Sequence, residues 1–239
     1  MIDEPMTTDY DSIAERYIEH TERPDSWNNL YERPFMITRF PELKDKNVLD
    51  LGCGSGFYTG YALEKGARVT AVDLSKAMID RLSQRIHSDK LRLECADISK
   101  PLSFLGATSY DYVICSLVIH YIKDWTPLLN ELYRILKKNG RVFISTHHPF
   151  LVLQYPLLKN TNYFETVLVE DIWSKQANPF KVHYYTRSLS SVLQPIIKSK
   201  FQIVSIEEPL PDEKCKQLAP QLFQRLCKEP GFLFFILKK

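Results

Sequence analysis

The sequence predicts an α/β fold in which helices cover both faces of a mostly parallel sheet. Between residues 47 and 147 short apolar runs alternate with amphipathic stretches at helical spacing, the rhythm of right-handed βαβ crossovers. The first apolar run ends in a glycine-rich turn, VLDLGCGSGFYTG over residues 48 to 60. There Gly52, Gly54 and Gly56 let the backbone bend sharply and approach a ligand where a Cβ would clash. After Thr146 the rhythm breaks, then resumes as strand, helix and strand from about Lys181.

The elements follow in order. Asp9 to His20 places Tyr10, Ile13, Ala14, Tyr17 and Ile18 on one stripe of a helix, and a second helix is expected over Ser26 to Arg39. Strands are expected at Asn47–Leu51, Arg68–Val72, Leu91–Cys95, Tyr110–Ser116 and Arg141–Thr146, with helices near 56 to 65, 75 to 87 and 126 to 138. The last of these aligns Leu128, Leu129, Leu132, Ile135 and Leu136, ends in Lys137 and Lys138, and meets a C-cap signal at Asn139-Gly140. Residues 148 to 186 form an insertion whose aromatics, Phe150, Tyr155, Tyr163, Phe164, Trp173 and Phe180, suit a packed cap rather than a linker. Phe201–Ile206 and Phe232–Leu237 supply two late strands. The expected organisation is an N-terminal helical lid (1–44), a ligand-binding core (45–147), a cap insertion (148–186) and the C-terminal part of the sheet (187–239).

The 31 basic and 29 acidic side chains leave a net charge of +2, which carries no signal for nucleic acid. The acidic start and the shortness of the apolar run at Phe232 to Leu237 give no leader or membrane span, so a soluble, cytoplasmic protein, monomer or homodimer, is expected. Cys53, Cys95, Cys115, Cys215 and Cys227 are odd in number and lack a C-x-x-C pair, so they read as reduced thiols. No metal site is expected. His147 and His148 are neighbours, which on a strand face opposite sides, and no carboxylate spacing accompanies them.

The glycine spacing is G-x-G-x-G, not the G-x-G-x-x-G of a dinucleotide loop, and Asp50 precedes it. An acid there would repel a pyrophosphate and suits an ammonium group. This loop, the acids Asp73 and Asp97 at the next strand ends, and the LLNELYRILKKNGRVFIS stretch resemble the class I S-adenosylmethionine-dependent methyltransferases over roughly residues 45 to 147. The fourth strand end, ICSLVIHYIKDW, and the HHPF after the fifth look most like their small-molecule branch, the methyltransferase domain 11-like type. The resemblance implies a Rossmann-like, seven-stranded sheet closed by an antiparallel strand pair. It also implies S-adenosyl-L-methionine as cofactor, with S-adenosyl-L-homocysteine as product.

Ligands of such sheets bind outside the carboxyl ends of the strands. Gly52, Cys53, Gly54 and Gly56 would then receive the amino-acid portion, with Asp50 ordering the loop and attracting the ammonium directly or through water. Asp73 would accept from the ribose hydroxyls, with Leu74 and Met78 beside it. Its rival role as helix cap falls to Ser75. Asp97 would accept from the adenine amino group while Ile98 packs on the ring, and a solvated turn aspartate is the alternative. Ser116 and Leu117 would lie near the methyl group. The Y-D-x-x-A-x-x-Y pattern of Tyr10, Asp11, Ala14 and Tyr17 resembles the start of a lid over the cofactor; simple packing helices are the alternative.

Methyl transfer from a sulfonium needs alignment and, where the nucleophile carries a proton, a base. His120 is the expected base, with a structural histidine as its alternative. Tyr17, Tyr121, His147, His148 and Trp173 are expected to wall the acceptor pocket, although aromatic core packing and a turn at His147-His148-Pro149 compete with that role. The activity expected is methyl transfer to a small molecule by in-line displacement. A non-catalytic cofactor-binding module would be favoured by a closed space beyond the methyl group. A transfer-RNA methyltransferase would call for stronger positive charge. An NAD-dependent oxidoreductase is opposed by the glycine spacing, by Asp50 and by the lack of a Tyr-x-x-x-Lys pair near the fourth strand.

Overall fold

The computed structural model describes residues 8–154, 161–173 and 179–239. Residues 1–7 of the expected lid, and residues 155–160 (with Tyr155) and 174–178 of the expected cap, lie outside the described residues. α1 (Tyr10–Glu22) begins at Asp9, whose carboxylate accepts from the backbone N–H groups of Asp11 and Ser12. In place of one helix over Ser26 to Arg39, a π-helical turn at Asn28–Glu32 runs into the short α2 (Arg33–Ile37). Pro34 accounts for the change: without an N–H it cannot donate to the preceding turn, and it sits at the start of α2 instead.

The alternation then unfolds as β1 (Asn47–Leu51), α3 (Phe57–Glu64), β2 (Arg68–Asp73), α4 (Lys76–Arg85), β3 (Leu91–Cys95), β4 (Tyr110–Ser116), α5 (Thr126–Ile135) and β5 (Leu136–His147). Ser75 caps α4 by accepting from the Met78 N–H. α5 does not reach the Asn139-Gly140 signal. The chain becomes extended at Leu136, which buries that side chain completely and lets Lys137 reach Asp111 at 2.8 Å. Asn139 adopts its left-handed φ of 65° inside β5, where the pairing with β4 jumps from Tyr110–Leu136 to Tyr112–Arg141.

The remaining elements are α6 (Leu151–Gln154), β6 (Val167–Trp173), β7 (Phe180–Thr186), α7 (Leu189–Lys198), β8 (Gln202–Glu207), α8 (Glu213–Leu218), α9 (Pro220–Leu226) and β9 (Phe232–Lys238). The main sheet has seven strands in the order β3-β2-β1-β4-β5-β9-β8. Strands β1 to β5 run parallel, and β9 joins antiparallel to both β5 and β8. One face packs Leu49, Val113 and Ile144 under α5 and α7. The other packs Val48, Ile114 and Phe143 under α2, α3 and the π turn. Both faces being covered explains why these strands read as continuous apolar runs. β6 and β7 form a separate antiparallel ribbon, in register from Val167–Thr186 to Trp173–Phe180. The strand order reverses between β1 and β4, and that switch point is where an open α/β sheet leaves a crevice.

Candidate functional site

A cavity of about 200 Å³ opens at this crevice, lined by Gly52, Gly54, Asp73, Leu74, Met78, Asp97, Ile98, Ser116 and Leu117, with Tyr10, Tyr17 and Tyr121 beside them. The Asp73 carboxylate draws the wall together: one oxygen accepts from the Gly54 N–H at 2.8 Å and the other from the Ser75 N–H at 2.9 Å. A Cβ built on Gly54, at φ 50°, would meet no atom within 4 Å, so its backbone faces open space. Burial pushes the Asp73 carboxyl above its ordinary range, partly offset by those two amides.

Three members of the expected set stand behind the wall. Asp50 is 2 % exposed and accepts from Thr59 Oγ1 at 2.7 Å, so it ties β1 to α3; burial, with Asp73 and Glu32 nearby, raises it to about 7. Cys53 packs with Ala71, Ile79 and Leu82. Gly56, left-handed at φ 88°, is required by packing, because a Cβ would come within 2.3 Å of Leu82 Cδ1.

α1 covers the cavity. The Tyr10 and Tyr121 hydroxyls bond to each other, and Asp11 accepts from Ser75 Oγ at 2.6 Å and the Ala77 N–H at 2.9 Å, holding α1 on the start of α4. At its other end Glu22 accepts from Ser55 Oγ and from Arg85. The ribbon also contributes, through Leu168, His183 and Tyr185 on the cavity wall. β7 alternates along Phe180–Thr186 and was legible as a strand, whereas β6 has no clean alternation in sequence, so the ribbon's part in this wall could not be read there.

A second cavity, of about 410 Å³, lies across Tyr17 and Leu117, which line both. Its wall takes His20, Arg23 and Trp27 from the N-terminal segment, Asp171 and Trp173 from β6, and His147, Tyr184 and Phe232. Tyr17 stacks on Trp173 with ring centroids 6.2 Å apart. Leu117 is held at φ 47°, a strained conformation for a branched side chain, by bonds from its N–H to the Ser145 carbonyl and hydroxyl. Burial drives His147 down to about 3 and lowers His20, so both rings are neutral at pH 7.

Three expected pocket residues are placed elsewhere. His120 lines neither large cavity; it lies in the 3-10 turn Ile119–Tyr121, 2 % exposed and stacked on His147 at 4.0 Å. With three residues per turn, Val118 and Tyr121 share the face toward the first cavity and His120 points elsewhere. Tyr121 therefore borders the first cavity, not the second. His148 is buried and bonded to Glu208 at 2.6 Å, away from the second cavity.

Glu32 is the member that the sequence did not disclose. Fully buried at the end of the π turn, it accepts from Tyr58, Ser116 and Ser145 hydroxyls at 2.6, 2.8 and 2.6 Å. It thereby pins the N-terminal segment to the ends of β4 and β5. Among the described residues, no three His, Cys, Asp or Glu side chains form a group able to hold a metal ion, and no helix is long and apolar enough to cross a membrane.

Residues 49–144 match the family model described as a methyltransferase domain. An uncharacterized protein of Haemophilus influenzae is 29% identical over 253 residues, an alignment covering 97% of this chain and 96% of that one. A Listeria monocytogenes protein described as an S-adenosylmethionine-dependent methyltransferase superposes with a TM-score of 0.74 at 26% identity, covering 87% of this chain and 96% of its own. An S-adenosylmethionine-dependent methyltransferase of Mesorhizobium loti gives a TM-score of 0.70 at 24% identity, over 87% of this chain and 97% of its own.

Proposed function

We propose that this chain, which belongs to the class I S-adenosylmethionine-dependent methyltransferases, methylates a small molecule held in its second cavity. The observation that carries the acceptor assignment is the junction at Tyr17 and Leu117, where the loop-and-acid cavity meets an aromatic one roomy enough for a small metabolite. That second space also counts against a non-catalytic module.

The first cavity fits the cofactor. The open face at Gly54 leaves room for a ligand's amino-acid end, Asp73 retains lone pairs beyond its two amide bonds for a vicinal diol, and Asp97 and Ile98 offer an acceptor and an apolar face for a base. When bound, S-adenosylmethionine supplies a methyl group already activated on sulfonium. The chain's own task is then alignment and exclusion of water. α1, the Tyr10–Tyr121 contact and the ribbon cover the first cavity, while Leu117 and Tyr17 set the passage to the second. His147 on the wall of the second cavity is held neutral by burial, which makes it a weak base.

The test is calorimetry and thermal denaturation with S-adenosylhomocysteine, followed by transfer of labelled methyl to a fractionated small-metabolite pool. The adenosyl ligand is expected to bind and raise the Tm, and label is expected in a low-mass product. Absence of binding by either adenosyl ligand overturns the cofactor site. Label recovered only in macromolecules overturns the acceptor class.

A further inference from the structure

A third chamber, of about 20 Å³, adjoins the second cavity and shares His147, Leu151 and Tyr184 with it. Its other walls include His120, Trp125 and Arg187. Arg187, at the end of β7, is 5 % exposed. It donates through Nη2 to the Ile122 carbonyl at 2.6 Å and through Nη1 to the Lys123 carbonyl at 3.4 Å, and its guanidinium lies 4.7 Å over the Trp125 ring. Among the described residues no carboxylate lines the chamber; Tyr185 on its wall and the exposed Asp124 act on Arg187 electrostatically from nearby. Arg187 Nε, Trp125 Nε1 and both ring nitrogens of His120 are buried with no hydrogen-bond partner among the described residues.

We propose that this chamber binds one monatomic, monovalent anion of halide size, held by the Arg187 Nε–H, the Trp125 indole N–H and one ring N–H of His120. Three considerations converge. The wall offers N–H donors and a buried positive charge, and such a charge is costly unless a counter-charge or hydrogen-bonding partner meets it. Arg187 stays cationic at neutral pH, since burial lowers it only to about 10. The volume, about 20 Å³, suits a small guest. A water molecule would also fit and could accept from the Nε–H that the Ile122 and Lys123 carbonyls leave free, but it would bring no counter-charge. The guest would also fix which His120 nitrogen carries the proton. Because His120 stacks on His147 within 14° of parallel, it would steady one wall of the second cavity. The site stands whether or not the chain transfers a methyl group.

The probe is bromide. Crystals of the full chain grown with sodium bromide should show an anomalous peak, measured at the bromine edge, beside Arg187 Nε and Trp125 Nε1. In solution, replacing gluconate by bromide at constant ionic strength should raise the Tm. Trp125→Phe, which keeps the ring stack and removes one donor, should need about tenfold more bromide for half the effect, and Arg187→Gln should abolish it. A chamber with water-like density and no anomalous peak overturns the proposal, as does an identical bromide response in Trp125→Phe. Should either variant fail to fold, the anomalous map of the unmodified protein decides.

Discussion

At the end of β1 the Asp50 carboxyl is enclosed between Thr59 and two further buried acids, Asp73 and Glu32, and titrates near 7 instead of 3.8. Between those values the folded chain holds a proton that the unfolded chain has lost, so this group favours folding as pH falls from 7 toward 4. That contribution is gone above about 7, where the native state must carry a buried anion. The ligand-free protein should therefore melt higher at pH 5.5 than at pH 8 on this account, and Asp50→Asn should flatten the difference in a paired set of thermal scans. An unchanged slope would move the effect onto Asp73 and Glu32, whose values burial also raises. A cationic ligand reverses the preference by favouring the ionised form, so affinity for the adenosyl cofactor should rise across pH 7 in the parent and less in the variant. Asp73 carries a second expectation. Its removal deprives the ribose of a charged acceptor and also frees the Gly54 and Ser75 amides it holds. Asp73→Ala should weaken S-adenosylhomocysteine binding by roughly ten- to a hundred-fold in calorimetry. Unaltered affinity in a folded variant would place the ribose elsewhere.

Among the elements, the π turn at Asn28–Glu32 has the most concentrated role, because it delivers Glu32 to three hydroxyls on α3, β4 and β5. Glu32→Ala leaves those hydroxyls buried without their shared acceptor and should cost about 2–4 kcal/mol. At roughly 2–4 °C per kcal/mol for a chain of this size, the Tm should fall by several degrees or more. A circular dichroism melt that matches the parent would show that the segment is held by apolar packing alone. None of this was visible in the sequence, since the partners lie 26, 84 and 113 residues away and only the folded sheet brings them together. The parallel strands were legible for the opposite reason. Val48 to Leu51 and Val113 to Cys115 are buried on both faces, so local composition alone marks them. β6 lacked any such mark because its residues are mostly half-exposed, without regular alternation. Asp73, Asp97 and the glycines could be located because strand ends fix their position. His120 could not, because one 3-10 turn decides which way it faces.

Across the whole molecule, the sheet ends, the N-terminal segment and the ribbon line two cavities that share Tyr17 and Leu117. Of these two cavities Trp173 lines the second and not the first, and it stacks on Tyr17. α1, by contrast, bears on both: Tyr10 and Tyr17 line the first, Tyr17 and His20 line the second, and Asp11 and Glu22 fasten the helix at its two ends. These placements predict separable losses. Trp173→Ala removes one aromatic wall and should lower kcat/KM for the acceptor roughly 10- to 100-fold, the loss expected when one large ring contact is deleted. The same variant should leave S-adenosylhomocysteine affinity within about twofold of the parent. Deleting residues 1–25 should weaken both, because it strips α1 from over the two cavities together. Calorimetry and steady-state kinetics on the two variants check this. If Trp173→Ala costs adenosyl affinity as much as acceptor turnover, the two spaces act as one and the division of labour between loop and ribbon is wrong.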